Sequence, residues 1–216
     1  APRSLSAAVL SFAAKISGPA LSHHTVFFGD VPNAEFDALA RGHMPSDATL
    51  YVCAEDHGTT SADTQQRFEI ILNAPAGLFL NSQEKYSCLT HILRRLSHFG
   101  LSFDPEPTVD NLTLPNDFDQ MFPASQGALY GRSPNAMTAA FKRPTARTKI
   151  PGLYLTGGGA HPGAGVPMAT LSALHAAEAI AKDRTSLFTS AQTGTHGGTS
   201  MGSATTAPKP SPSSAS

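Results

Sequence analysis

The run Gly152-Leu153-Tyr154-Leu155-Thr156-Gly157-Gly158-Gly159-Ala160-His161-Pro162-Gly163-Ala164-Gly165-Val166-Pro167-Met168 decides how this chain is read. Its order predicts a strand, a glycine loop and a helix. Leu153 to Thr156 is a short apolar run of the kind that fits a strand buried on both faces. The glycines from Gly157 to Gly165 then let the backbone turn tightly and approach another surface closely. Pro167 suits the first helical position, where its missing N–H would be unpaired anyway. From there to Lys182 both faces are apolar or small: Met168, Leu171 and Leu174 on one, Val166, Ala173, Ala177 and Ile180 on the other. That pattern predicts a helix sandwiched between layers.

A glycine loop feeding a helix N-terminus presents unpaired N–H groups and the positive end of the helix dipole to whatever lies in front of it. An anion or an electron-rich ring edge is the natural occupant. The spacing is neither the G-x-G-x-x-G of a dinucleotide fingerprint nor a Walker loop. A tight structural turn with close helix packing therefore accounts for the glycines equally well.

The residue order is more specific than the shape. Gly152 to Met168, and His161-Pro162-Gly163-Ala164-Gly165-Val166-Pro167 above all, closely resembles the C-terminal flavin signature of the bacterial phytoene desaturase family of carotenoid oxidoreductases. Ser22-His23-His24-Thr25-Val26-Phe27-Phe28, Leu50-Tyr51-Val52-Cys53-Ala54, Phe68 to Ala76 and Phe122 to Gly131 occur in the same order as similar segments of that family. The resemblance covers residues 1 to 183, and within the family the chain looks most like the hydroxyneurosporene or methoxyneurosporene desaturase branch.

Composition narrows the classes without choosing among them. The chain has 216 residues, 14% of them charged, and a net charge of -1, which leaves no electrostatic footprint for nucleic acid. Cys53 and Cys88 sit in apolar surroundings without C-x-x-C spacing, so a reduced cytoplasmic pair is expected. No run of 18 or more apolar residues occurs, so no span is expected, while peripheral association with a membrane stays open. The chain opens on Ala1, and its first residues look like an interior strand without a leader, as if it began in mid-fold.

Along the chain, Leu5 to Ala14, Thr25 to Phe28, Thr49 to Ala54 and Arg67 to Ala74 read as strands, and Ala34 to Ala40 as a short helix. Ser82 to Phe99 carries Tyr86, Leu89, Ile92, Leu93 and Leu96 at helical spacing, with Ser82 as cap and Gly100 as stop. Thr108 to Leu112 reads as a strand and Leu114 to Phe122 as a helix with proline near its start. The expectation is an α+β substrate domain over residues 1–145, followed over 146–183 by a return into an α/β nucleotide-binding domain. Residues 184–216, rich in serine, threonine, proline and glycine, are expected to be disordered.

Other chemistry finds little support. Nine histidines invite a metal reading, but only His23 and His24 are adjacent, and on a strand those two would face opposite sides; no metal site is expected. Ser172 and His175 lie one helical turn apart, yet a buried helix surface gives a substrate no access, so hydrolase chemistry is not expected. His161 either donates a hydrogen bond to a cofactor or fixes the loop backbone.

The absence of an acid–base or nucleophile set agrees with what the resemblance implies, a flavoenzyme whose cofactor carries the reaction. The implied reaction oxidises a C–C single bond of an acyclic, hydroxylated or methoxylated carotenoid to a double bond, with FAD as cofactor. The implied setting is a glutathione-reductase-type, Rossmann-like FAD domain with peripheral attachment to the membrane surface. By residue-wise carry-over, Gly157, Gly158 and Gly159 lie near the phosphate and ribityl part of FAD. Gly165 lies where the backbone must approach the flavin, and Val166, Pro167 and Met168 face its pyrimidine edge. No catalytic residue is singled out. The apolar strands at Leu5 to Phe12, Val26 to Phe28 and Phe68 to Leu72 are candidates for a substrate tunnel, with ordinary core as the alternative for each.

The sequence departs from the family in three places. The N-terminal βαβ unit with its G-x-G-x-x-G is absent from it, Gln126 stands where relatives usually have glycine, and Ser133 to Met137 lacks an expected aromatic residue. A C-terminal portion of a longer enzyme, an inactive truncated relative and a non-catalytic carotenoid- or lipid-binding module are the readings left open.

Overall fold

The computed structural model describes residues 2–59, 64–133 and 142–193, with the backbone alone given for Pro32 and for 186–193. The elements are β1 (Ser6–Ser17), β2 (His24–Phe27), α1 (Pro32–Ala40), β3 (Leu50–Ala54), β4 (Gln66–Ala74), α2 (Ser82–His98), β5 (Ser102–Asp104), β6 (Leu112–Thr113), α3 (Pro115–Met121) and α4 (Val166–Thr193). The strands form one sheet in the order β2-β3-β4-β1-β5, with β6 added against β1, and every pairing is antiparallel. The result is a small mixed α/β domain built on an antiparallel sheet.

Period-two alternation sets the sheet faces. Leu10 on β1, Leu50 and Val52 on β3, and Phe68, Ile70 and Leu72 on β4 point to one side and are buried. There they meet Leu89, Ile92 and Leu96, the apolar stripe of α2. Helix α2 starts where expected, but its cap is Asn81 and not Ser82. Asn81 Oδ1 accepts from the Glu84 N–H at 3.0 Å while Glu84 Oε2 accepts from the Asn81 N–H at 2.8 Å, a reciprocal pair that satisfies two otherwise orphaned donors.

Two features of the sheet edge differ from expectation. Strand β5 pairs with the far end of β1, which runs three residues past Ala14 to Ser17. Thr108 to Leu112 is a strand only from Leu112 onward, because Asn111 Oδ1 accepts from the Thr108 N–H at 2.9 Å and closes a tight helical turn over Val109–Asn111. The turn after β1 requires glycine at Gly18: its φ is +123°, and a Cβ there would lie 2.2 Å from the Gly100 carbonyl oxygen.

The C-terminal part departs most. Leu153 to Thr156 is not a doubly buried strand; Tyr154 makes an isolated bridge to Arg147, and Leu153 is 46% exposed. Its backbone bonds go to Ala146, Thr148 and Ile150 just before it, and no parallel strand lies beside it among the described residues. Helix α4 is not sandwiched either: Ser172, Ala176 and Ala179 are its buried stripe, whereas Met168, Leu171, Leu174 and Ile180 are exposed. The helix continues to Thr193, past the expected start of disorder at Arg184, and 194–216 lie outside the described residues. No described helix is long and apolar enough to cross a membrane.

Candidate cofactor loop at the start of α4

The glycine loop is held from behind and left clear in front. Gly157, Gly163 and Gly165 have φ of +108°, +147° and +101°, conformations that side-chain-bearing residues rarely adopt. A Cβ built on Gly157, Gly159 or Gly165 would meet nothing within 4 Å, so these residues present bare backbone to open space. Gly158 instead packs on Ala164, and Gly163 on the guanidinium of Arg143.

Three bonds pin the loop. The Gly157 N–H donates to Ser172 Oγ at 3.2 Å, and Ser172 is fully buried on α4. Arg143 Nη1 donates to the carbonyls of Gly158 at 2.8 Å and Tyr130 at 3.1 Å. The His161 N–H donates to the Pro144 carbonyl at 2.8 Å, while the His161 ring stacks on His175 with centroids 6.3 Å apart. Ser172 and His175 thus each engage a different part of the loop.

Helix α4 begins with the Ala169 N–H donating to the Gly165 carbonyl at 2.9 Å. The N–H groups of Val166 and Met168 have no partner among the described residues, and Pro167 has no N–H to offer. Val166 is 82% exposed, so this end of the helix faces outward next to the bare glycine backbone. Gly157, Gly159 and Gly165 thus leave backbone open to space, and the first turn of α4 at Val166, Pro167 and Met168 carries unpaired donors at a positive dipole end. Its chemistry fits an anion or an electron-rich ring edge, and Gly158 contributes through its carbonyl bond to Arg143.

A brace fixes α4 to the segment before the loop. Asp183 accepts from Arg147 Nη2 at 2.8 Å and from Tyr154 Oη at 2.7 Å. The Arg147 hydrogen bonds, and then that of Tyr154, hold the Asp183 carboxyl below the usual carboxylate range. The same hydrogen bond to Asp183 pushes the Tyr154 phenol up.

The candidate tunnel strands divide between the two sheet faces. Leu10, Phe68, Ile70 and Leu72 are core. Val9, Val26, Tyr51 and Ile71 lie on the opposite face, where register sets them in one row. Arg143 and Glu35 are buried charged residues with structural bonds that sequence reasoning did not pick out. Glu35 is buried on α1, where Oε2 accepts from the Thr49 N–H at 3.0 Å and Oε1 accepts from Asn73 Nδ2 at 2.9 Å. The Gln126 departure has a visible consequence: its φ is +57°, a glycine-type backbone carried by a larger residue.

No protein-family model matches the chain. It is 56% identical over 84% of its length to hydroxyneurosporene desaturase of Cereibacter sphaeroides, covering 37% of that protein. It is 47% identical over 85% of its length to hydroxyneurosporene desaturase of Rhodobacter capsulatus, again covering 37%. The protein of the same name from Rubrivivax gelatinosus is 37% identical over 95% of the chain, which covers 40% of it. The chain thus spans well under half the length of these relatives. More distant similarity extends to phytoene desaturase of Neurospora crassa, 29% identical over 84% of this chain. With similarity this high along most of its length, and with the ordered segments that first pointed there, the chain belongs to the phytoene desaturase family of carotenoid oxidoreductases.

Proposed function

We propose that this chain is the C-terminal portion of an FAD-dependent desaturase that oxidises a C–C single bond of an acyclic, hydroxylated or methoxylated carotenoid. The observation that carries the reading is the bare backbone at Gly157, Gly159 and Gly165 beside the unpaired first turn of α4. In this reading Gly157, Gly158 and Gly159 hold the phosphate and ribityl part of FAD, and Gly165, Val166, Pro167 and Met168 meet the pyrimidine edge. The chemistry FAD supplies when bound is acceptance of a hydride from the polyene.

The chain's own residues bind and orient. The first turn of α4 offers unpaired donors and a positive dipole end to the ring edge where reduction places negative charge, a contribution of roughly 0.3–2 kcal/mol. Arg143 and Ser172 keep the loop from moving when that charge develops. Residues 1–145 form the substrate-binding domain and 146–183 the return into the FAD domain, with α4 continuing beyond it. The N-terminal βαβ half supplies the ADP site that a glycine fingerprint requires. Phe28, Phe79 and Phe122, all strongly exposed, are suited to peripheral contact with a membrane from which a long polyene is drawn.

The test uses the intact protein and its Gly165→Val variant. The parent is expected to retain FAD and lengthen the conjugated system of an acyclic hydroxycarotenoid presented in lipid vesicles. The variant is expected to lose FAD out of proportion to any loss of folded structure by circular dichroism. Stoichiometric FAD in the variant, or no new double bond with the flavin-loaded parent, would refute the reading.

A further inference from the structure

A second cluster of chemistry-bearing residues lies on the sheet face opposite α2. Antiparallel register sets His24, Cys53, Glu69 and Ser11 side by side in one row across β2, β3, β4 and β1. His23 immediately precedes β2, so strand alternation does not carry it to the other face. The His23 and His24 rings meet edge to face with centroids 4.3 Å apart. Cys53 Sγ lies 3.8 Å from His23 Nε2, and ligand atoms of all three side chains lie within 4.8 Å of one another. The expectation that the two histidines face opposite sides is therefore corrected by the structure.

We propose that His23, His24 and Cys53 form a binding site for a divalent transition metal of the zinc class, with water in the fourth position. Metal–sulfur and metal–nitrogen distances of about 2.3 and 2.0–2.1 Å in a tetrahedron place S and N roughly 3.5 Å apart and two N atoms roughly 3.4 Å apart. The Cys53–His23 separation is close to that, and a ring nitrogen of the exposed His24 lies within 4.8 Å of both. Thiolate and imidazole together favour zinc or copper over magnesium or calcium.

The surroundings support the assignment. Tyr51 Oη lies 2.6 Å from His24 Nδ1, so the hydroxyl oxygen can accept the Nδ1–H and leave Nε2 as the ligand. Binding breaks the Cys53 S–H bond, sends the proton to solvent and forms the metal–sulfur bond, with no change of oxidation state. The four-residue edge strand β2 becomes tied to β3 beside it.

The intact protein, stripped with a chelator, is titrated with Zn2+ against a chromophoric competitor and with Co2+ as an optical probe. One metal per chain and a thiolate-to-cobalt charge-transfer band are expected. Cys53→Ser is expected to abolish that band, and His24→Gln, an exposed site that does not threaten folding, to weaken zinc at least about tenfold. Tyr51→Phe is expected to weaken it by roughly 10–100-fold, the usual loss when a ligand's orienting partner is removed. His98→Gln, on α2 away from the cluster, is expected to match the parent. No zinc bound at micromolar concentration, or the same affinity in His24→Gln as in the parent, would overturn the site. Neither result bears on flavin retention at Gly165, so this proposal and the desaturase reading fail separately.

Discussion

Replacing Arg143 with methionine isolates what holds the glycine loop. Arg143 is 8% exposed, and among the described residues no carboxylate pairs with it. Its charge is spent on the Gly158 and Tyr130 carbonyls, at 2.8 and 3.1 Å. Hydrogen bonds to a charged group are worth about 1.5–3 kcal/mol each, and part of that is returned because methionine no longer buries a guanidinium. Methionine Sδ and Cε can take the places of Cδ and Nε beside Gly163, so the net cost is about 2 kcal/mol, roughly thirtyfold in the opening equilibrium of the loop. Hydrogen exchange reads this directly. The Gly157 and Ala160 amides, bonded to Ser172 Oγ and to the Gly157 carbonyl, should exchange roughly thirtyfold faster in Arg143→Met. The Ile70 amide in the middle of the sheet should be unaffected. Arg143→Lys, which offers a point charge without the fork, should fall between the two. Unchanged exchange at Gly157 and Ala160 would show that the loop is held by something other than Arg143.

Three further predictions concern the frame around the loop. Hydrogen bonds from the Arg67 side chain and N–H hold the Asp56 carboxyl at about 2 against an ordinary 3.8, so the stability it contributes is complete above 3.8 and disappears as pH falls towards 2. The advantage of the parent over Asp56→Asn in urea unfolding should shrink over that interval, and a pH-independent difference would contradict it. Glu35→Ala should cost about 2–4 kcal/mol in chemical denaturation by leaving the Thr49 N–H and the Asn73 amide unpaired, whereas in Glu35→Gln an amide flip at Asn73 restores both bonds; equal losses would refute the pairing. Gln126→Gly should stabilise by about 0.5–1 kcal/mol, because the left-handed backbone strain removed exceeds the chain entropy glycine adds, and a lowered melting temperature would contradict that.

The sheet and its covering helix were legible because their signal is periodic. The alternation in Arg67 to Ala74 names the face that holds Phe68, Ile70 and Leu72, and the spacing of Leu89, Ile92 and Leu96 names the helix stripe that covers it. Where one side chain decides, periodicity is silent. Asn81 displaces Ser82 as cap because its side chain reaches Glu84, and Asn111 turns an expected strand into a helical turn by bonding Thr108. Leu153 to Thr156 has the apolar composition of a buried strand, but a strand needs neighbours, and in this fold its backbone partners are Ala146, Thr148 and Ile150.

The glycine turns of the loop were legible from local chemistry, since positive φ at Gly157, Gly163 and Gly165 is what glycine permits. The loop's supports were not, because each acts across a long sequence interval. Arg143 sits 15 residues before the Gly158 carbonyl it holds, in a segment without pattern. His23 and Cys53 are 30 residues apart, and Glu35 and Asn73 are 38 apart. A lone buried polar residue carries no repeat to reveal it. The His23-His24 pair shows the same limit from the other side: alternation predicts opposite faces only if both residues belong to the strand, and β2 begins at His24. One residue of strand boundary, the least certain thing a sequence gives, separates two histidines that cannot share a ligand from two that lie within reach of one.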